Sequence, residues 1–408
     1  MQSVGASPCP KRVKLMAGSG STAGARGGRV SGERPTVAWI DPEALAANFG
    51  EARRLAAGRE VIAVVKADGY GHGARTVARG LLEAGCRELA VATVDEAREL
   101  RGAGIQTSLL VLGGIHDAAE AETAAAHGLT VAVHHMGQLP WLRAAAPVGR
   151  APLALQLEVD TGMARMGVPA EQVAELARAI EEAPELELDG IYTHLSRADE
   201  EDPAPSVEQL VRFAGVLDAL PDGGRSLRRV HVANSAGLLA TPELESVLPA
   251  AVNAVRPGLM LYGVAPAPHQ KARAELTPVM TLETAIVNLR DVAAGRAVGY
   301  GGSWVAKCEG RIATLPIGYA DGVPWSLANT GVALVNGIER PFAGRVSMDL
   351  VTLDVGSAPA KIGDRVVLFG EPALPVEAVA ELAGTLAYEL LVRVGTRVPR
   401  KVRVRTDS

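Results

Sequence analysis

Three cysteines, Cys9, Cys86 and Cys308, are all that this chain of 408 residues contains. Their number is odd and no CxxC spacing occurs, which argues against a disulfide framework or a structural metal site and for a reducing, cytoplasmic setting. An excess of positive charge is also missing. The formal net charge is −5, so no basic field is set up to attract nucleic acid or anionic lipid. No run of about eighteen apolar residues occurs, which argues against a membrane-spanning helix. Lys11, Arg12 and Lys14 imitate the start of a secretion signal, but no apolar stretch follows them. Residues 1–34 have almost no aliphatic run and are rich in Gly, Ser, Ala and Arg; a disordered tail is expected there, with Met16 a second candidate start. No internal repeat of fixed period is evident.

What the chain does have is apolar residue enough for a full core, 48% hydrophobic against 21% charged. The segment 36–41 (TVAWID) alternates as a strand, and Asp41 and Pro42 then read as an N-cap and first helical residue. Eight short apolar runs follow, at 60–66, 89–94, 108–114, 130–135, 153–160, 188–194, 229–234 and 252–258. Between them lie Ala-, Glu- and Arg-rich segments of helical pattern, such as 169–183. Strands apolar on both faces and alternating with helices predict an α/β architecture, an N-terminal (β/α)8 TIM-type barrel over 35–263. From 264 to 408 the texture changes to LETAIVNLRDV, RIATLPIG, VALVNG, LVTLDV and RVVLFG, separated by Gly, Asp and Pro turns. That spacing predicts a mainly antiparallel β domain, with 36–41 a candidate member and a helix at 375–387.

A barrel of this kind places its site at the carboxyl ends of its strands. The first barrel strand ends at Lys66, before a Gly-rich turn holding Tyr70 and His72. Arg165 lies just past the fifth, His194 ends the sixth, HVANSAG ends the seventh and VRPGLMLYG continues the eighth. A lone strand-end lysine is most simply one that runs its stem along apolar surface to reach water. Five polar positions at one rim point to a site.

Nine segments occur in order: AVVKADGYGHG, DTGMARMG, YTHLSRAD, ANSAG, VRPGLMLYG, GYGGSW, IGYADG, RVSMDL and AYELLVRVGTRVPR. In this combination the chain resembles the alanine racemases, over about residues 36–400. The resemblance implies pyridoxal 5′-phosphate as cofactor, alanine as substrate, a supply of D-alanine for peptidoglycan, and a homodimer with shared active sites.

Residue roles follow from the same resemblance. Lys66 matches the lysine that carries the cofactor and serves as one base; Tyr300 matches the base on the opposite face, since inverting a planar carbanion takes a proton donor on each side. Arg256 matches the residue facing the pyridine nitrogen, where a donor in place of a carboxylate keeps that nitrogen unprotonated and favours return of the proton to Cα. His194 is expected to bond that arginine. Tyr70, Asn234, Ser235, Tyr388 and the amides of Gly258 and Leu259 are expected around the cofactor, mostly at its phosphate. Arg165 matches the residue that meets the substrate carboxylate, and Met348 and Asp349 a segment that lines the substrate side from the partner. Asp199, His231, Tyr319 and Arg345 match residues of the entrance. No metal site is expected.

Some positions depart from the family pattern. Glu158 stands where many members have a carbamylated lysine, and is expected to orient Arg165 in its place. Ser347 replaces a common cysteine, and Val323–Ser326 a stretch that often holds an arginine. Two other readings stay open: a serine or broad-specificity racemase of the same fold, and a cofactor-binding barrel without catalysis. Tyr388 argues for a small side chain; Tyr300 and the C-terminal β domain argue for catalysis.

Overall fold

The computed structural model describes residues 33–146 and 151–403. All but the last two residues of the expected tail lie outside them. The chain divides into two compact units, one of Pro42–Thr277 and one joining the segment up to Asp41 with Pro278 onward. The stretch 264–277 therefore goes with the barrel and not with the β portion, as its sequence had suggested. Asn48 explains this: its Nδ2 donates to the carbonyls of Leu261 (3.1 Å) and Thr277 (2.8 Å), and its Oδ1 accepts from Thr277 N (2.8 Å), tying that stretch to the first helix.

The strand β1 (Val37–Ile40) precedes the helix α1 (Pro42–Ala56), which begins at the proline. The barrel strands are β2 (Glu60–Val64), β3 (Glu88–Val91), β4 (Ser108–Val111), β5 (Thr130–Val133), β6 (Leu153–Asp160), β7 (Leu186–Thr193), β8 (Arg229–His231) and β9 (Ala254–Val255). All pairings between them are parallel, and β9 returns to β2 through Val255 and Val61, closing eight strands into a ring. The main helices between them are α2 (Ala74–Glu83), α3 (Val94–Gly102), α4 (Ala118–Ala126), α5 (Leu139–Ala145), α6 (Val173–Glu181), α7 (Ala204–Asp218) and α8 (Ser235–Leu239). In α6 the buried residues are Val173, Leu176, Ala177 and Ile180, one stripe at helical spacing. β3 and β5 are buried throughout, because the helices cover one face and the packed interior the other. The strand expected over 89–94 stops at Val91: Thr93 accepts from Glu96 N (3.2 Å) and caps α3, which draws Val94 into the helix.

The second unit contains β10 (Met280–Ala285), β11 (Asn288–Val292), β12 (Gly310–Leu315), β13 (Val332–Val335), β14 (Ile338–Pro341), β15 (Val351–Asp354), β16 (Arg365–Phe369) and β17 (Arg400–Val402). One sheet runs β14-β13-β16-β10-β1-β17 and another β11-β12-β15. β1 joins this unit, antiparallel to β10 and parallel to β17. The remaining pairings are antiparallel. Two helices close it, α9 (Val376–Ala383) and α10 (Ala387–Val392). Gly384 splits what the sequence suggested as one helix, taking a left-handed conformation (φ 67°) at the C-cap of α9. Among the described residues no helix is long and apolar enough to cross a membrane.

Candidate active site

Lys66 follows β2 and opens an unusual turn. Ala67, Asp68, Gly69, Tyr70 and Gly71 all have positive φ, between 52° and 79°. Three of them, Ala67, Asp68 and Tyr70, are L-residues that adopt this left-handed conformation at a cost, so something must hold them. Glu96 does. Its Oε1 accepts from Ala67 N (2.7 Å), while Oε2 accepts from Ala92 N (2.7 Å) and Thr93 N (3.3 Å). Asp68 closes the far end by accepting from Ala74 N (2.7 Å). Burial pushes the Lys66 amine below the usual lysine range, and the nearby charge of Arg165 adds to this; both favour the neutral, nucleophilic form.

Strand register builds the layer beside it. Glu158 on β6 pairs with Tyr192 on β7, and Tyr192 with His231 on β8. His231 neighbours Ala254 on β9, two residues before Arg256. Arg256 is 3% exposed and His231 wholly buried. Arg256 Nη1 donates to His231 Nδ1 (2.5 Å) and Nη2 to the carbonyl of Thr193 (2.9 Å), and the guanidinium lies 4.6 Å from the centre of the Tyr192 ring. Among the described residues no carboxylate bonds it; a buried cation is tolerated here through neutral acceptors and a π face. His231 is held far below its ordinary pKa, by burial first and by the charge of Arg256 next, so it is neutral and accepts at Nδ1.

Two expectations are corrected. His231 is no entrance residue; it is the buried partner of Arg256. His194, expected in that role, sits one residue past the end of β7, outside the ladder, where Nε2 lies 3.3 Å from Asn234 Nδ2. Its pKa is pulled down to about 3 by burial and by the charges of Arg256 and Arg165.

Glu158 is the third correction. Its Oε2 accepts from His134 Nε2 (3.1 Å) and from Tyr192 Oη (3.0 Å), and among the described residues it forms no ion pair with Arg165. Pointing inward from β6, it meets the flanking strands and not the loop beyond its own end. Burial pushes this carboxyl up, but the bonds from His134 and Tyr192 outweigh that and leave it below the usual range. Arg165 is set instead by Asp160, whose Oδ1 accepts from the amides of Gly162 (2.9 Å), Met163 (2.9 Å) and Ala164 (3.1 Å), folding the loop that presents an exposed guanidinium.

A cluster of hydroxyls and backbone amides lies at the ends of the last barrel strands. Asn234 caps α8 by accepting from Gly237 N (2.9 Å). Ser235 Oγ accepts from Gly258 N (2.9 Å) and Met260 N (3.2 Å), which fixes it beside the Gly258–Leu259 segment. A Cβ on Gly258 would stand 2.3 Å from Tyr70 Oη, so only glycine lets that hydroxyl approach the backbone. Tyr70 is stacked on Tyr262 (4.7 Å between centres), and Tyr262 Oη donates to the carbonyl of Val64 (3.0 Å), directly before the lysine turn. Asp199 is exposed on the loop before α7.

The second unit gathers the other expected residues on its own surface. Tyr300 is 70% and Met348 53% exposed. The guanidinium of Arg345 lies beside Gly301, the neighbour of Tyr300. Tyr319 N donates to Ser347 O and Ala320 N to Met348 O, both at 3.0 Å, joining those two loops. Asp349 is held by Arg397 (2.8 Å), which also reaches buried Asp321 (3.2 Å), and Asp321 pairs with Arg34 (2.5 Å). Tyr388 lies in α10, partly exposed. Glu96, His134, Tyr192 and Tyr262 were missed from sequence. Only Glu96 had a local signal, the T-x-x-E capping box at Thr93; the others depend on which strands become neighbours.

A parallel barrel whose strand ends gather a lysine of depressed pKa, a buried arginine and a cluster of hydroxyls and amides at a glycine is the arrangement of an enzyme with its active site at that rim. Comparison with known proteins gives the family. Residues 40–266 match the model of the alanine racemase N-terminal domain, and residues 279–402 that of the C-terminal domain. The alanine racemase of Desulforamulus reducens is 40% identical over 372 residues, 90% of this chain and 99% of that one. That of Syntrophobacter fumaroxidans is 39% identical over 361 residues, 87% of this chain and 94% of the relative. The crystal structure of alanine racemase from Streptomyces lavendulae aligns with a TM-score of 0.84 at 35% identity, covering 91% of this chain and 98% of that one. That from Bacillus anthracis with bound L-Ala-P aligns at 0.83 and 32% identity, covering 92% and 96%. The chain belongs to the alanine racemase family.

Proposed function

We propose that this protein interconverts L- and D-alanine in the cytoplasm with pyridoxal 5′-phosphate, as a homodimer, and so supplies D-alanine for peptidoglycan. The observation that carries the reading is the buried Arg256, fixed as a donor by neutral His231 at the same rim as Lys66. The residues present fit the cofactor. Lys66 offers an amine with a depressed pKa for its aldehyde. Arg256 offers N–H groups for its ring nitrogen. The hydroxyls of Ser235 and Tyr70, which meet at Gly258, and the amides of the Gly258–Leu259 turn are the groups that would hold its phosphate.

Bound pyridoxal phosphate supplies a conjugated system that acidifies the Cα–H bond of an attached amino acid. The rest is done by the chain. The Lys66 amine moves a proton at Cα on one face. Tyr300 of the partner subunit holds the proton on the other face. Removal by one and delivery by the other inverts the centre with no net change in protons. Arg165 receives the substrate carboxylate, and Met348 and Asp349 of the partner subunit close the substrate side. Arg256, a donor where a carboxylate would accept, would hold the ring nitrogen without a proton and so favour delivery of the proton at Cα.

The test is chiral chromatography of alanine incubated with the holoprotein. D-Alanine forms from L-alanine until the two are equal, and an L-serine control reacts more slowly. No D-alanine would sink the reading; faster turnover of serine would move the substrate.

A further inference from the structure

A line of buried polar side chains runs from Arg256 through the barrel interior. Arg256 Nη1 donates to His231 Nδ1 (2.5 Å), His231 Nε2 donates to Gln156 Oε1 (2.7 Å), and Gln156 Nε2 donates to Asp189 Oδ2 (2.8 Å). Arg228 anchors the end, with Nε to Asp189 Oδ1 at 2.6 Å and Nη2 to Oδ2 at 3.2 Å, and its Nη1 reaches Glu88 Oε1 (2.5 Å). His231, Gln156 and Asp189 are all at least nine-tenths buried, so water does not readily substitute for a missing partner.

The two ends of this line cannot reverse. A guanidinium only donates; a carboxylate paired with an arginine only accepts. Between them stand two groups that can each be turned around, the imidazole by tautomer and the amide by rotation. With both ends fixed, every bond points the same way: Gln156 must present its oxygen to His231, which places the imidazole proton on Nε2 and leaves Nδ1 as acceptor. The other tautomer would set an N–H against the guanidinium at 2.5 Å. Burial and the charge of Arg256 keep the ring from holding both protons.

The backbone is shaped to allow this line. The β6–β7 register shifts at Leu155/Gln156, so Gln156 pairs with Gly190 and Asp189 is the extra residue of a bulge. Gly190 is required there, since a Cβ would come 2.5 Å from the carbonyl oxygen of Arg229.

We propose that Gln156 and Asp189 are positioning residues, which lock the tautomer of His231 so that Arg256 keeps its remaining N–H groups for the cofactor ring nitrogen. The last clause rests on the racemase reading; the lock itself does not.

The test reads both separately. The chain has eight histidines. With histidine labelled in both ring nitrogens, nitrogen NMR of the purified protein assigns His231 by the signals lost in His231→Gln. In the unaltered protein His231 Nδ1 has the shift of a bare nitrogen and Nε2 that of a protonated one. Asp189→Asn keeps the shape, but its amide turns its oxygen to Arg228 and its N–H to Gln156, which turns Gln156 and reverses the tautomer. Gln156→Met keeps the length, removes the bridge and leaves the tautomers mixed. In both variants kcat for alanine falls about tenfold or more, by analogy with the loss of a group that orients a metal-ligating histidine, while KM changes less than twofold. If His231 keeps the same tautomer in both variants, the lock is refuted, whatever the kinetics. If the tautomer changes and kcat does not, the link to Arg256 is refuted. A tautomer change with no alanine racemisation by the unaltered protein refutes the functional reading and leaves the lock standing.

Discussion

At Glu158 one carboxylate oxygen serves two donors, His134 Nε2 and Tyr192 Oη, and Tyr192 in turn lies under Arg256. The charge reaches Arg256 through a ring and does not touch Arg165. Glu158→Gln keeps the shape and removes the charge. It is expected to lower stability at neutral pH by about 1–3 kcal/mol, the usual cost of weakening a buried bond to a charged group. Because the folded pKa lies below 4.5, that contribution is present above 4.5 and is lost as pH falls through the folded value. The gap between variant and parent in thermal melts therefore closes in acid. KM for alanine stays within about twofold and activity does not respond to bicarbonate; a tenfold rise in KM would place the carboxylate on Arg165 after all. Lys66→Ala loses the yellow colour of the cofactor-loaded protein and slows racemisation by at least about 10²–10⁴, the range that a positioned base contributes. Retained colour and rate would remove Lys66 from the mechanism.

The lysine turn and the barrel layer behave as elements. The turn from Ala67 to Gly71 costs backbone energy, and Glu96 offsets it by gathering three amides from two segments. Glu96→Ala is expected to cost about 1–3 kcal/mol and to weaken cofactor binding along with it, read by chemical unfolding and by titration of pyridoxal phosphate into the apoprotein. Unchanged affinity would mean that the turn holds itself. The layer has a signature in acid. His194 is neutral in the fold down to about 3 against an ordinary 6.5, and His231 is depressed as well. The unfolded chain therefore binds protons that the fold refuses. This stability is whole above 6.5 and is lost as pH falls, at about 1.4 kcal/mol per pH unit for each histidine. Urea unfolding between pH 7 and 5 checks it: His194→Gln flattens the slope by about that amount, and an unchanged slope would show that His194 is protonated in the fold.

For the whole molecule, the proposed two-base mechanism draws its residues from both units. Lys66, Arg165 and Arg256 lie in one, and exposed Tyr300, Met348 and Asp349 in the other. An exposed aromatic and methionine on one surface suit a face that another chain covers. If each site takes its tyrosine from the partner, then Lys66→Ala and Tyr300→Phe, each nearly inactive alone, restore up to one working site per mixed dimer. Mixing them under conditions where subunits exchange, shown by mass, should return about a quarter of the unaltered activity, the random-pairing share of the one intact site in a mixed dimer. Proven exchange without recovery would mean that the site does not combine residues from two chains.

The sequence by itself determined the parts that local pattern and short motifs can carry. Apolar runs set the eight strands, the stripe in α6 its buried face, and the motifs at Lys66, Ser235 and Gly258 a rim of polar positions. Only the tertiary structure decided which of those residues touch. His194 and His231 both look like strand-end histidines in one dimension; parallel register puts His231 beside Arg256 and leaves His194 at the rim. Glu158 looks like a neighbour of Arg165, seven residues on, yet its side chain faces β5 and β7. Gln156 and Asp189 carry no motif, because their role depends on a one-residue bulge between strands about thirty residues apart. In a barrel, partners are set by strand order and register, which are long-range properties, whereas a sequence reports directly only on what lies within a few residues along the chain.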